Sequence, residues 1–133
     1  MQKDIRSEAL ALAHTVIERA YVPYSRFSMG AAVATDSGQL FPGALVENVS
    51  LGLAMCAERI ALFSTVAHAA GRPTLLVLVS KRTDGNITFP CGACLQVALE
   101  LGGPELEVIA SDLEETIETA VLRQLAPRFP LKP

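Results

Sequence analysis

Two short segments hold the residues whose types and spacing can do chemistry. One is Cys56-Ala57-Glu58-Arg59 and the other is Pro90-Cys91-Gly92-Ala93-Cys94. Two cysteines at this close spacing can hold a metal ion as thiolates, and Cys56 supplies a third thiolate from a distant part of the chain. Zinc prefers four ligands, and a site with three protein ligands leaves the fourth position to water, as catalytic zinc sites do. The sequence therefore predicts a catalytic zinc centre with one zinc ion per chain.

The residues beside Cys56 are of the types that hydrolysis at zinc requires. Zinc lowers the pKa of water from near 15.7 towards roughly 7, and Glu58 is close enough to move protons, a role worth about 10²–10⁴-fold in rate. Three thiolates on one zinc ion leave a negative site, which opposes the acidification of water. Arg59 is the predicted counter-charge, through hydrogen bonds to cysteine sulfurs.

Two other interpretations of these segments stay open. The spacing of Cys91 and Cys94 at a helix start is also typical of thiol redox pairs, although that leaves the Cys56 segment without a function. A structural zinc module for protein contacts requires a fourth ligand. His68 is the nearby candidate, but it lies about 18 Å from Cys56 along the same helix at about 1.5 Å per residue. We interpret His14 and His68 as ordinary helical residues.

The elements that must position the cysteines follow from hydrophobic periodicity. Apolar residues spaced by three and four predict a first helix within residues 4–20, and helices over about 55–70 and 94–101 start near the cysteines. The continuous apolar run at 75–80 is typical of a central strand covered on both faces. The remaining predicted elements are strands at 27–35, 39–46, 105–110 and 116–119 and a last helix that ends by Pro127. This order predicts an α/β fold with one mixed sheet of about five strands and helices on both faces.

Composition and charge limit the classes of protein. A length of 133 residues predicts a single domain over 1–133, and 50% apolar with 19% charged residues excludes a disordered chain. The net charge of −3 without a basic run argues against a nucleic-acid partner. No apolar run approaches the roughly 20 residues of a membrane span. Three cysteines, an odd number, and an N-terminus without a secretory segment predict reduced thiols in a cytoplasmic protein.

The two chemical segments together resemble the zinc-dependent cytidine deaminases of the three-cysteine class. The resemblance extends over nearly the whole chain, through the segments 20–27, 30–32, 47–50 and 125–129. It implies a three-layer α/β/α cytidine-deaminase-like sandwich. It also implies a role in pyrimidine salvage, in which a cytosine-type base or nucleoside is hydrolysed to the uracil-type product with release of ammonia. The small members of the family are homotetramers with shared active sites, and the same is implied here.

The resemblance also implies roles for single residues. Cys56, Cys91 and Cys94 bind zinc. Glu58 protonates the ring nitrogen N3 and later the leaving amino group. The implied substrate contacts are Phe27 in the nucleoside pocket, Glu47 on a ribose hydroxyl, the backbone of Ala57 and Phe89 on the base edge and amino group, and Phe129 on a base in a neighbouring subunit.

Three leucines depart from the family pattern. Leu45 stands where the family usually has a ribose-binding asparagine, Leu51 replaces an aromatic residue, and Leu95 replaces an arginine. Loss of the ribose hydrogen bond is worth about 1–3 kcal/mol, or roughly ten- to a hundredfold in recognition. The alternative hypothesis is therefore a deaminase with a more apolar sugar pocket, weak on cytidine. Such an enzyme would act on a modified cytosine, a free base or a cytosine-containing antibiotic such as blasticidin S.

Overall fold

The structure is a computed structural model that describes residues 4–133, and its centre is a five-stranded sheet. The strands are β1 (Met29–Thr35), β2 (Leu40–Ala44), β3 (Pro73–Ser80), β4 (Glu107–Ser111) and β5 (Ile117–Val121), in the spatial order β2-β1-β3-β4-β5. Strands β3 and β4 are parallel, and every other neighbouring pair is antiparallel. The predicted mixed sheet is confirmed.

Helices cover both faces of this sheet. Over the described residues the α-helices are α1 (Ile5–Val16), α2 (Ala57–Ala67), α3 (Gly92–Gly102) and α4 (Leu122–Leu125). Helix α1 starts after Asp4, whose carboxylate accepts a hydrogen bond from the Arg6 N–H at 3.2 Å and so satisfies a free donor of the first turn. No helix in the described part of the chain combines the length and the apolar character that a membrane crossing requires.

Alternating side chains of β1 place a core on each side of the sheet. Val33 packs with Leu76 and Val108 against the buried faces of α2, α3 and α4. Ala32 and Ala34 point to the opposite side and pack in the cluster that contains α1. Both faces of the central strands are therefore covered, which explains their continuous apolar sequences. The predicted three-layer α/β/α arrangement is confirmed.

The third helix begins earlier than the predicted range of 94–101. Cys91 is its N-cap, with an extended backbone conformation (φ −69°, ψ 168°), and the helix starts at Gly92. The sequence gives little sign of this earlier start, because glycine and cysteine are weak helix formers. Cys94 consequently lies inside the first turn rather than at the helix boundary.

Two other predicted boundaries were too wide. The helix predicted over 55–70 ends at Ala67, and the chain then turns through Ala69 in the left-handed region (φ 49°). The strand predicted over 27–35 begins at Met29. The other predicted strands begin and end within two residues of the observed ones.

Close contact between β2 and the start of α2 sets the position of the Cys56 segment. A Cβ atom on Gly43 would lie 2.1 Å from the carbonyl oxygen of Ala57. Only glycine allows the strand backbone to approach the helix this closely. The first turn of α2 is thereby seated directly on the sheet.

Candidate active site

The three cysteines form one cluster. The Sγ atoms of Cys56, Cys91 and Cys94 all lie within 4.8 Å of one another, and the Sγ atoms of Cys91 and Cys94 are 3.6 Å apart. Two sulfurs on one tetrahedral zinc ion with Zn–S bonds of about 2.3 Å would lie about 3.8 Å apart. The observed spacing therefore fits a shared metal ion. Among residues 4–133, the group of side chains that can hold a metal contains these three cysteines and no histidine.

Two helix N-termini carry this cluster. Cys56 is the N-cap of α2 and Cys91 is the N-cap of α3, and neither side chain caps its own helix by a hydrogen bond. Cys94 lies in the first turn of α3 and is buried. The first N–H groups of a helix lack partners within the helix, and the helix dipole is positive at this end. Both effects stabilise thiolates, so the fold supplies part of the charge that three thiolates require.

Hydrogen bonds inside the cluster determine which thiol ionises first. The hydrogen bond from Cys94 and, to a smaller extent, the nearby Arg59 guanidinium together lower the pKa of Cys56 to about 5, although burial opposes them. The pKa of Cys94 is raised because it shares this hydrogen bond and is buried beside Glu58. Arg59 Nη2 lies 3.4 Å from Cys56 Sγ, and its hydrogen bond to this sulfur raises the pKa of the guanidinium. Even without metal, the cluster therefore pairs one thiolate with one cation.

Glu58 is a buried carboxyl group next to the thiols. It is 1% exposed, and its Oε1 atom has no hydrogen-bond partner among the described residues. Burial raises the pKa of Glu58 to about 7, and the negative charge of Cys56 adds to the effect. A buried carboxyl oxygen without a hydrogen-bond partner destabilises a fold, which favours a functional role for this group. With this pKa, Glu58 can both accept and donate a proton at neutral pH.

Residues 3–110 match the model of the cytidine and deoxycytidylate deaminase zinc-binding region. The chain belongs to this family. The predicted zinc cofactor is thereby confirmed, and the three clustered thiols are the residues that fit it.

Individual deaminases show how far the similarity extends. Cytidine deaminase of Mycobacterium tuberculosis is 48% identical over 87 residues, which are 65% of this chain and 64% of that protein. The chain thus matches just under two thirds of that relative's length. Cytidine deaminase of Halalkalibacterium halodurans is 40% identical over 110 residues, 83% of this chain and 82% of that protein.

Solved deaminase structures share the fold over nearly their full length. Cytidine deaminase of Burkholderia pseudomallei superposes with a TM-score of 0.84 at 41% identity, over 92% of this chain and 96% of that chain. The Mycobacterium tuberculosis enzyme superposes with a TM-score of 0.79 at 35% identity, over 97% of this chain and 100% of that chain. These similarities favour the deaminase interpretation over the redox pair and the structural zinc module. They lend no support to a modified cytosine or an antibiotic over cytidine.

Glu47 and Phe27, two predicted substrate contacts, flank one loop. Glu47 Oε1 accepts hydrogen bonds from the N–H groups of Tyr24 at 3.0 Å and Ser25 at 3.2 Å. The hydrogen bonds from Ser25 lower the pKa of Glu47 most strongly. Phe27 follows this loop and is half-buried, and Lys81 Nζ lies 5.3 Å from the centre of its ring. One carboxylate oxygen of Glu47 is therefore committed to the loop backbone.

The remaining predicted contacts lie beside the helix starts. Ala57 is the buried first residue of α2, and Phe89 precedes Pro90 and is partly buried against the core. Phe129 also packs on this core, and its ring lies 3.9 Å from the position that a Cβ on Gly92 would occupy. Phe129 thus covers the start of α3 in its own chain. The substrate contacts of these residues stay predictions.

The three unusual leucines occupy different environments. Leu95 is 7% exposed and belongs to the core beneath α3, so this position serves packing. Leu51 is 84% exposed. Leu45 is half-buried, and its backbone is fixed because its N–H donates to the Met29 carbonyl at 3.1 Å. Of the three, Leu45 lies two residues before Glu47 in the sequence, on backbone that this hydrogen bond fixes.

Sequence reasoning missed one ion pair at the edge of the sheet where β3 and β4 end. Arg82 follows β3 and Asp112 follows β4, and their side chains meet at 3.0 Å. A signal was available, because β3 and β4 are parallel neighbours and the residues after such strands lie at the same edge of the sheet. This signal requires the strand order, which the sequence analysis did not predict.

Proposed function

We propose that the chain is a zinc-dependent cytidine deaminase, which hydrolyses cytidine to uridine with release of ammonia. The buried carboxyl group of Glu58 beside a three-thiol cluster carries the proposal. Membership of a zinc-binding deaminase family and the identity to proteins named cytidine deaminase support the substrate class.

In this proposal Cys56, Cys91 and Cys94 hold the metal. Zinc, when bound there, supplies a Lewis acid that lowers the pKa of water from near 15.7 towards roughly 7. Arg59 and the two helix N-termini offset the negative charge of the thiolates. These positive groups counteract the loss of acidity that a thiolate-rich site would otherwise show.

Glu58 moves the protons of the reaction. It takes a proton from the attacking water and delivers it to N3 of the cytosine ring, while the water oxygen forms a bond to C4. It then carries the proton of the new C4 hydroxyl group to the amino group, the C4–N bond breaks as the C4=O bond forms, and ammonia leaves. A pKa of about 7 suits a group that must act in both directions.

The substrate is held by groups on the surrounding loops. Phe27 provides an apolar wall for the nucleoside, and the backbone of Ala57 and Phe89 binds the base edge and the amino group. Glu47 accepts from a ribose hydroxyl with Oε2, because Oε1 already accepts two backbone N–H groups. Phe129 extends this contact surface towards a base in a neighbouring subunit.

We further propose a homotetramer with shared active sites and without nucleic-acid or membrane partners. Large apolar side chains are exposed on the loop before α2 and on α2 itself: Val46, Val49, Leu51, Leu53, Phe63 and Val66. A concentration of exposed apolar side chains in one stretch of the chain favours a protein contact surface there. Light scattering should give four times the mass of one chain, and a monomer would contradict this assembly.

Glu58→Gln tests the function. The wild type should contain one zinc ion per chain and release ammonia from cytidine. The variant should keep its zinc and its circular dichroism spectrum but lose about 10²–10⁴-fold in kcat. Glu100→Gln is the matched control, because Glu100 is an exposed glutamate on α3. A zinc-loaded wild type without activity on cytidine would overturn the proposal, and a parallel assay with cytosine, deoxycytidine and blasticidin S would then test the alternative substrates.

A further inference from the structure

A buried carboxylate outside the proposed catalytic group holds the loop that leads from β3 to α3. Arg82 Nε donates to Asp112 Oδ2 at 3.0 Å. The Asp112 side chain is 6% exposed, whereas that of Arg82 is 42% exposed. The pair joins the start of the loop that ends at Cys91 to the turn between β4 and β5.

Asp112 is itself rigidly placed. Its Oδ1 atom accepts hydrogen bonds from the N–H groups of Glu114 at 3.0 Å and Thr116 at 2.9 Å. Its own N–H donates to the Thr116 carbonyl at 3.1 Å. One carboxylate oxygen thus fixes the turn, and the other is aimed at Arg82.

Arg82 links Asp112 to the backbone of the loop. Its Nη1 atom donates to the Gly85 carbonyl at 3.0 Å. The backbones of Thr83 and Asn86 pair with each other through hydrogen bonds of 2.8 and 3.0 Å. The first half of the loop is therefore a hydrogen-bonded turn that the guanidinium group binds.

The second half of the loop is tied to the first. Thr88 Oγ1 donates to the Lys81 carbonyl at 3.2 Å and lies 2.6 Å from the hydroxyl oxygen of Thr83. Phe89 follows directly, and Cys91 comes two residues later. A shift of the loop at its base would therefore move both the proposed base-binding backbone and one thiol.

We propose that Asp112 and Arg82 form a positioning pair that holds the β3–α3 loop, so that Phe89 and Cys91 meet substrate and metal in the required geometry. The kinetic part of this inference rests on the proposed function, whereas its effect on zinc retention does not. A misplacement of about 1 Å at an active site can lower a rate by about 10²-fold. For a partly loosened loop, we expect a loss of about three- to tenfold.

Three single variants and one double variant test the pair. Asp112→Asn keeps an oxygen for the turn N–H groups but removes the charge, Arg82→Gln removes the guanidinium, and Arg82→Lys keeps a cation. Asp112→Asn and Arg82→Gln should each lower kcat/KM for cytidine about three- to tenfold and speed zinc transfer to a chelator by a similar factor. The double variant Asp112→Asn/Arg82→Gln should lose no more kcat/KM than the poorer single variant does. Arg82→Lys should lose less kcat/KM than Arg82→Gln. Arg6→Gln is the control, because its ion pair with Glu107 at 2.8 Å joins α1 to β4 away from the loop.

The outcomes separate a positioning role from mere stability. Variants that melt at a lower temperature but keep the wild-type kcat, KM and zinc-release rate would overturn the inference, as would losses that add in the double variant. If the wild type does not deaminate cytidine, the proposed function fails, and the zinc-release rates alone then decide the inference.

Discussion

Replacement of Arg59 by glutamine should weaken the metal site by a calculable amount. Arg59 Nη2 lies 3.4 Å from Cys56 Sγ. Its hydrogen bond joins a cation to a thiolate, and such bonds contribute about 1.5–3 kcal/mol. At about 1.4 kcal/mol per pKa unit, loss of this bond raises a thiol pKa by about one to two units. The pKa of Cys56 in the metal-free protein should therefore rise from about 5 to about 6–7.

Loss of this hydrogen bond in Arg59→Gln should also lower the affinity for zinc. Loss of about 1.5–3 kcal/mol corresponds to roughly ten- to a hundredfold weaker binding. The lower end is favoured because Arg59 is partly exposed and water screens part of its charge. The thiol pKa can be measured from the pH dependence of alkylation in metal-free protein, and zinc affinity from competition with a chelator.

Arg59→Lys separates the charge from the shape of the side chain. Lysine keeps the positive charge but lacks the planar group that reaches the sulfur, so its effect should lie between those of wild type and Arg59→Gln. If Arg59→Gln leaves both the Cys56 pKa and the zinc affinity unchanged, Arg59 is not the counter-charge of the thiolates.

Two further substitutions test the sugar contact and the seating of α2. Leu45→Asn should raise kcat/KM for cytidine by roughly ten- to a hundredfold, as a recovered ribose hydrogen bond allows, and leave activity on free cytosine unchanged. An equal kcat/KM in variant and wild type would remove the case for an apolar sugar pocket. Gly43→Ala should destabilise the protein by about 1–3 kcal/mol in urea unfolding, because the new Cβ would lie 2.1 Å from the Ala57 carbonyl oxygen. Gly52→Ala, whose Cβ would meet no atom within 4 Å, is the control, and equal stability of the two variants would contradict the steric reasoning.

The two halves of the metal centre could be predicted from local sequence because each is a short segment at a helix start, and the preference of zinc for several thiolate ligands joined Cys56 to the distant Cys91 and Cys94. Cys56 and Glu58 share one helix turn, and Cys91 and Cys94 share another, so short spacing already implies proximity. Hydrophobic periodicity likewise predicts the helices and strands, because it reflects the burial of one face of each element.

Contacts between elements that no shared ligand requires could not be predicted in this way. Arg82 and Asp112 meet because β3 and β4 are neighbours, which no local pattern specifies. Phe129 covers the start of α3 because the chain after α4 returns across the core. Periodicity shows that a face is buried but does not identify the element that covers it.

Pro42 has a consequence for how copies of the chain can meet. It lies in β2, the outermost strand on one side of the sheet, and it is exposed. Proline has no N–H group, so this strand cannot offer a regular row of donors to a strand from another molecule. Growth of the sheet into a fibril along this border is thereby discouraged. A second copy of the chain that meets this border would therefore have to bind it through side chains.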